Sequence, residues 1–163
     1  MDPFFIKNLV YGIEDSLIST TGVLIGTSFA QIPNDYIILS GFILILVNAL
    51  SMSYGSFISD ESFMQTAKEK YTNKRVLFYS LTMFIAYIVA GIVVLIPYIL
   101  KLEKPHIYSI ILVVICLFLL FIFTKKTAAK TIILTLVGLG ILLTSIKIGT
   151  YLKKIEDRLS VKK

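Results

Sequence analysis

The sequence predicts an all-α membrane protein with five transmembrane helices. Of its 163 residues, 56% are hydrophobic and only 16% are charged, and the mean hydropathy is +0.86. A soluble domain of this composition would expose large apolar patches. Several apolar runs are long enough to cross a bilayer. Because these runs are continuous rather than alternating, they favour helices over a closed barrel.

Short polar links divide the chain into five predicted spans. The spans cover residues 5–31, 36–55, 76–100, 107–124 and 131–152. A turn containing Pro33 and Asn34 joins the first two spans, as is usual between antiparallel helices. The polar link 59–75 contains neither Pro nor Gly, so it is able to extend the second helix out into water. Together with the basic tail 153–163, these segments predict a single transmembrane domain over residues 1–163.

Two adjacent acids, Glu14 and Asp15, lie inside the first predicted span. Only 17 residues separate Asp15 from Pro33. A span needs about 20, so the helix is expected to begin before the acids. A carboxylate at that depth costs about 2.5–3.5 kcal/mol on insertion scales, and it normally faces a partner, an ion or water. The alternative is an acidic pair at the membrane surface, with the span beginning near Leu17.

Charge and reactive residues argue against several functions. The net charge of +6 lies mainly in loops and the C-terminal tail, where contact with anionic lipid explains it, and no nucleic-acid partner is expected. The single cysteine, Cys116, cannot form an internal disulfide. Neither a nucleophile motif nor a phosphate-binding loop is present, so we predict neither an enzyme nor a bound cofactor. The N-terminus lacks the pattern of a cleaved signal peptide, so we do not expect its removal.

Two segments stand out, DSLISTTGVLIG at residues 15–26 and ALSMSYGSFIS at residues 49–59. Both resemble motifs of the vacuolar iron transporter family, which includes the yeast Ca²⁺-sensitive cross-complementer. Residues 15–26, DSLISTTGVLIG, are similar to the Asp-Gly-hydrophobic-x-Ser/Thr-Thr run of that family's first helix. Residues 49–59, ALSMSYGSFIS, resemble its second-helix motif Gly-Ala-x-Ser-Met-Ala-x-Gly-Glu-Tyr-x-Ser. Residues 91–98 and 138–149 are weaker echoes of the third and fifth helices. The resemblance covers most of the chain in the family's order.

This resemblance implies a homodimeric bundle that moves Fe²⁺, and often Mn²⁺, out of the cytosol in exchange for protons. The path would lie between protomers, with Asp15 binding the ion and carrying the proton, Met52 setting metal preference and Glu14 assisting. A hard carboxylate oxygen with a soft thioether suits a borderline divalent metal. The competing interpretation of Met52 is an adaptable core residue. We expect a multi-pass protein of a prokaryotic plasma membrane or an organelle membrane.

Two departures from the family pattern concern metal access. Ser56 stands where the second-helix motif carries an acid. Asp60 follows Ser56 by one turn and falls near the same helix face as Met52, so Ser56 and Asp60 are candidate ligands at the cytosolic mouth. A solvated helix end is the alternative role of Asp60 and Glu61. The family's carboxylate-rich hairpin between the second and third spans is missing, since the link holds only Asp60, Glu61 and Glu69.

Small and polar residues within the spans indicate close helix packing. Gly22 and Gly26 form a small-x-x-x-small pair, which would bring first helices together across a dimer axis or give a flexible backbone beside an ion. Asn48 is expected to hydrogen-bond a neighbouring helix rather than bind metal.

Two other functions are consistent with the sequence. One is a proton-coupled exporter of organic cations similar to the small multidrug transporters, which also place a lone glutamate in the first helix. Those transporters have four helices and lack the Ser-Met-x-x-Gly run. The other is a non-transporting membrane subunit that binds a partner through the basic tail 153–163.

Overall fold

The computed structural model describes residues 2–66, 72–124 and 128–160, and these residues form five α-helices. The helices are α1 (Pro3–Phe29), α2 (Asn34–Thr66), α3 (Asn73–Ile99), α4 (Pro105–Phe123) and α5 (Ala128–Ser160). These ranges contain no strand. The predicted all-α class with five helices is therefore confirmed.

Four of the five helices are long and apolar enough to cross a membrane: α2, α3, α4 and the Leu136–Leu159 part of α5. The first predicted span, α1, is not among them, although its 27 residues are enough for a crossing. Its apolar run is interrupted by Lys7, Glu14 and Asp15. Helix α1 contacts all four other helices. The four apolar helices thus identify an integral membrane protein, and α1 packs against every one of them.

Each helix begins two or three residues before the corresponding predicted span. The largest difference between a helix and its predicted span is at the C-terminal end of α2. This helix continues to Thr66 rather than ending near residue 55. One side of this polar extension packs on the protein, because buried Met64 clusters with Val76 and Tyr79 of α3. Residues 67–71 of the predicted link, including Glu69, and residues 161–163 of the predicted tail lie outside the described residues.

Asp2, which precedes α1, links the start of this helix to α3 through hydrogen bonds. Its carboxylate caps the helix by accepting a 2.9 Å hydrogen bond from the backbone N–H of Phe4. It also accepts hydrogen bonds from the Arg75 guanidinium at 2.8 Å and the Tyr79 hydroxyl at 2.5 Å. The hydrogen bond from Tyr79 lowers the pKa of Asp2 below its ordinary value, against a smaller opposing effect of burial.

Small residues bring α1 and α5 into close contact. A Cβ atom added at Gly26 would lie 3.4 Å from the backbone oxygen of Ser145, and one added at Gly149 would overlap the Gly26 carbonyl. At Gly22, an added Cβ would lie 3.1 Å from the Ser145 hydroxyl. The predicted close approach at Gly22 and Gly26 therefore occurs within the chain, against α5. A contact of these glycines with the first helix of a second copy stays a prediction.

Candidate functional site

Glu14 and Asp15 lie near the middle of α1, whose first residue is Pro3. The helix therefore begins before the acids, as predicted. Both side chains are half-buried. In the described part of the chain, neither carboxylate takes part in a hydrogen bond or an ion pair. An acid in this situation still needs a cation, a proton or water to offset its charge within a membrane.

The polar residues that follow Asp15 do not bind it. The Ser16 hydroxyl donates to the Tyr87 carbonyl oxygen at 2.7 Å, and the Ser19 hydroxyl lies 2.7 Å from the Tyr87 hydroxyl. Asn48 of α2 donates to that same Tyr87 hydroxyl at 2.9 Å, which confirms its expected role between helices. The hydroxyls of Thr20 and Thr21 are buried and form no hydrogen bond among the residues described.

A cavity of about 300 Å³ lies between α1, α2 and α3. Its wall combines one ammonium group, hydroxyls and two thioethers, contributed by Lys7, Tyr11, Ser51, Met52, Gly55, Ser56, Ser59 and Met83. The structure therefore brings the predicted residues Met52 and Ser56 to one cavity. The physical reason is their i, i+4 spacing on α2, which places them on the same helix face.

Asp60 lies beside this cavity, buried rather than solvated. Its side chain is 1% exposed and forms an ion pair with Lys7. Its second oxygen accepts a 2.8 Å hydrogen bond from the Asn8 amide and lies 3.2 Å from the Ser56 hydroxyl. The alternative of a solvated helix end is therefore wrong for Asp60, because α1 covers this turn of α2. Glu61, by contrast, is half-buried, and its side chain lies 3.4 Å from the Gln65 amide.

Lys7 and Asn8 were not predicted as parts of the site. A signal was present in the sequence, because Lys7, Tyr11 and Asp15 recur every four residues and so share one face of α1. That face runs from the cavity past Asp15 toward Ser19. What the spacing does not give is the identity of the α2 residue opposite Lys7.

A second, largely apolar cavity of about 330 Å³ lies between α1 and α5. Ile18 and Ser19, which follow Asp15 by about one turn, line its wall together with Gly22, Val23 and Gly26. Asp15 thus lies between the two cavities along α1 and contributes to the wall of neither. Neither of these two cavities is lined by both Asp15 and Met52.

No group of three or more His, Cys, Asp or Glu side chains that could hold a metal ion occurs among the described residues. A metal site assembled from one copy would therefore depend on few carboxylates, together with hydroxyl and thioether groups.

A comparison with known protein families gives one finding: the model of the VIT family matches residues 6–80. This match covers 75 of the 163 residues, which is just under half of the chain. The matched range contains Asp15, Met52, Ser56 and Asp60, so it includes both segments that resemble the vacuolar iron transporters. The weaker echoes at residues 91–98 and 138–149 lie beyond it. No curated protein and no solved structure matches the chain.

The match to the VIT family suggests transport of metal ions across a membrane. The four apolar helices agree with that function, because they identify an integral membrane protein. Within the VIT match, α1 carries the unpaired acids and α2 carries Met52 and the cavity wall.

Proposed function

We propose that this protein exports Fe²⁺ or Mn²⁺ from the cytoplasm in exchange for protons. The observation that supports this most strongly is the unpaired carboxylate of Asp15, half-buried near the middle of a helix that contacts every other helix. A charge in such a position is costly, and charges of this kind normally mark an ion or proton pathway. The plasma membrane of a prokaryote or an organelle membrane is the proposed location.

The proposed path lies between two copies of the chain, along the accessible face of α1. Tyr11 and Val23 on this helix are 51% and 38% exposed, and Asp15 lies between them. A twofold axis beside this face would bring two Asp15 carboxylates together, since a twofold interface presents the same surface from both subunits. The second copy would also supply the ligands that one described chain lacks.

The roles proposed for the side chains follow from their chemistry. Asp15 binds the divalent ion as a carboxylate, with Glu14 adding negative charge. When the ion leaves, Asp15 takes up a proton, which couples the two fluxes. Met52 offers a soft thioether, which discriminates against Mg²⁺ and Ca²⁺. Ser56 and Asp60 serve ions arriving through the cavity.

A flux assay with purified protein in liposomes tests this proposal. Vesicles loaded with a metal-sensitive dye and a pH-sensitive dye are presented in turn with Fe²⁺, Mn²⁺, Ca²⁺ and Mg²⁺. We expect uptake of Fe²⁺ or Mn²⁺ with proton movement in the opposite direction, and little uptake of Mg²⁺ or Ca²⁺. Metal uptake without proton movement would contradict exchange, and the absence of any metal uptake would contradict transport.

A second candidate function is proton-coupled export of organic cations. The observation that favours it is the apolar cavity of about 330 Å³ beside Ser19, since a cavity of this size and character suits a small hydrophobic ligand. An ethidium efflux assay in the same vesicles separates the two functions. Ethidium efflux without metal flux would favour this candidate, whereas a non-transporting subunit would move neither.

A further inference from the structure

We infer that Lys7 is a tethered cation that occupies the Asp60 carboxylate until a divalent metal ion displaces it. This inference rests on the proposed metal transport and adds a step at which the arriving ion is admitted. The evidence is the ion pair between Lys7 and Asp60 and the different burial of these two side chains.

The Lys7–Asp60 pair joins a fixed anion to an accessible cation. Asp60 is 1% exposed, whereas half of the Lys7 side chain is exposed. The neutral Asn8 amide also donates a hydrogen bond to the carboxylate, and the Ser56 hydroxyl, which donates to the Asn8 side-chain oxygen, lies 3.2 Å from it. These groups would keep Asp60 in place if the ammonium left. A lysine stem, by contrast, is long and flexible, so its ammonium is able to move while its backbone stays fixed.

The surroundings of Lys7 provide both a replacement cation site and a place for the ammonium to go. The cavity that Lys7 lines contains the thioethers of Met52 and Met83 and the Ser51 hydroxyl. An ion that reached the Asp60 carboxylate would find a second oxygen in the Ser56 hydroxyl, and the thioethers line the cavity through which a borderline divalent ion would approach. The Lys7 ammonium already lies 5.6 Å from the centre of the Phe4 ring, whose face attracts cations. Lys7 is therefore able to leave the carboxylate without losing every favourable contact.

The test is Mn²⁺ binding to the purified full-length chain, measured by titration calorimetry in detergent. Lys7→Gln removes the competing charge, so we expect the dissociation constant for Mn²⁺ to fall by about tenfold or more, as for loss of an intramolecular competitor. Lys7→Arg retains a cation and should bind Mn²⁺ much as the wild type does. Lys101→Gln is the matched control, because Lys101 forms a 3.0 Å ion pair with Asp35 in which both side chains are exposed.

Thermal unfolding with and without Mn²⁺ separates this inference from a purely structural role of the Lys7–Asp60 ion pair. In Lys7→Gln, Asp60 becomes a buried charge without a cation, so the variant should unfold at a lower temperature than the wild type. If Mn²⁺ takes the place of the ammonium, adding it should raise the unfolding temperature of Lys7→Gln more than that of the wild type. The double variant Lys7→Gln with Asp60→Asn should lose this response. A Lys7→Gln chain that binds Mn²⁺ no more tightly than wild type, or that Mn²⁺ fails to stabilise, overturns the inference.

The binding test is independent of transport through Asp15. Asp15→Asn leaves the Lys7–Asp60 pair in place, so it should alter flux without reproducing the tighter binding of Lys7→Gln. Normal flux in Asp15→Asn would count against the proposed transport mechanism alone. An unchanged dissociation constant in Lys7→Gln, with flux lost in Asp15→Asn, would count against the displacement of Lys7 alone.

Discussion

The Asn48 amide donates a 2.9 Å hydrogen bond to the hydroxyl of Tyr87, which is itself fully buried. The same hydroxyl lies 2.7 Å from the Ser19 hydroxyl, one turn beyond Asp15. Three helices therefore meet at one phenolic oxygen. Since lipid offers no replacement partner, this network fixes α1 against α2 and α3 at the level of the candidate ion site.

Replacing Tyr87 by Phe should destabilise the fold by about 1–3 kcal/mol, because Asn48 and Ser19 both lose a buried partner. The measurement is thermal unfolding in detergent. Tyr54→Phe is the control, since Tyr54 on α2 is 69% exposed and should lose little when its hydroxyl is removed. Equal unfolding temperatures for the two variants would contradict a stabilising role for the network.

Gly149→Ala should weaken the contact between α1 and α5, because the new Cβ would overlap the Gly26 carbonyl. Overpacking of this kind costs about 1–3 kcal/mol. Gly140→Ala on the same helix is the matched control, because a Cβ there meets nothing within 4 Å. Alanine also favours a helix over glycine by about 1 kcal/mol, so Gly140→Ala should be neutral or stabilising. Destabilisation of both variants to the same extent would show that the contact with Gly26 is not the cause.

Met52→Leu should reduce the preference for Fe²⁺ while preserving the fold, since leucine has nearly the same volume but no sulfur. We expect a higher KM for Fe²⁺ in the liposome assay and no matching change for Ca²⁺ leakage. Met64→Leu is the control, because Met64 lies on the same helix but packs against Val76 and Tyr79, outside the cavity. Equal loss of flux for every ion in Met52→Leu would argue against a sulfur ligand.

The Asp2 carboxylate should make stability depend on pH in the acid range. Because its pKa in the folded protein is below the ordinary value of 3.8, folding favours the charged form. The stabilisation that the charged Asp2 gives to the fold is therefore complete above about pH 4. It is lost as the pH falls through the pKa that Asp2 has in the folded protein. The unfolding temperature of Asp2→Asn should fall less between pH 6 and pH 3 than that of the wild type. An equal fall in unfolding temperature for Asp2→Asn and the wild type would contradict this role of Asp2. Asp35→Asn is the control, because the Asp35 side chain is exposed.

Helical periodicity and span length predicted the features that depend on one helix. Span length predicted that α1 begins before Asp15, and helical periodicity predicted that Met52 and Ser56 share a face. Neither predicted the contacts between helices, because these depend on how the helices cross. Asp60 forms an ion pair with Lys7, which lies 53 residues earlier in the chain. This contact buries an acid that the sequence alone would also allow to be solvated.

The glycines of α1 illustrate the same limit of sequence patterns. The spacing of Gly22 and Gly26 predicted a close approach, and the structure contains one. The pattern does not specify the partner helix, since any small-faced helix satisfies it. Ser145 and Gly149 of α5 provide that face within the chain.

The most direct test of the central claim is metal flux by Asp15→Asn in liposomes. Asparagine has nearly the shape of aspartate but no charge, and Asp15 has no described partner that the change would disrupt. We predict that Fe²⁺ and Mn²⁺ uptake falls to the level of empty vesicles while the unfolding temperature stays near that of the wild type. Uptake by Asp15→Asn at the wild-type rate would contradict the proposed role of this carboxylate as the ion and proton carrier.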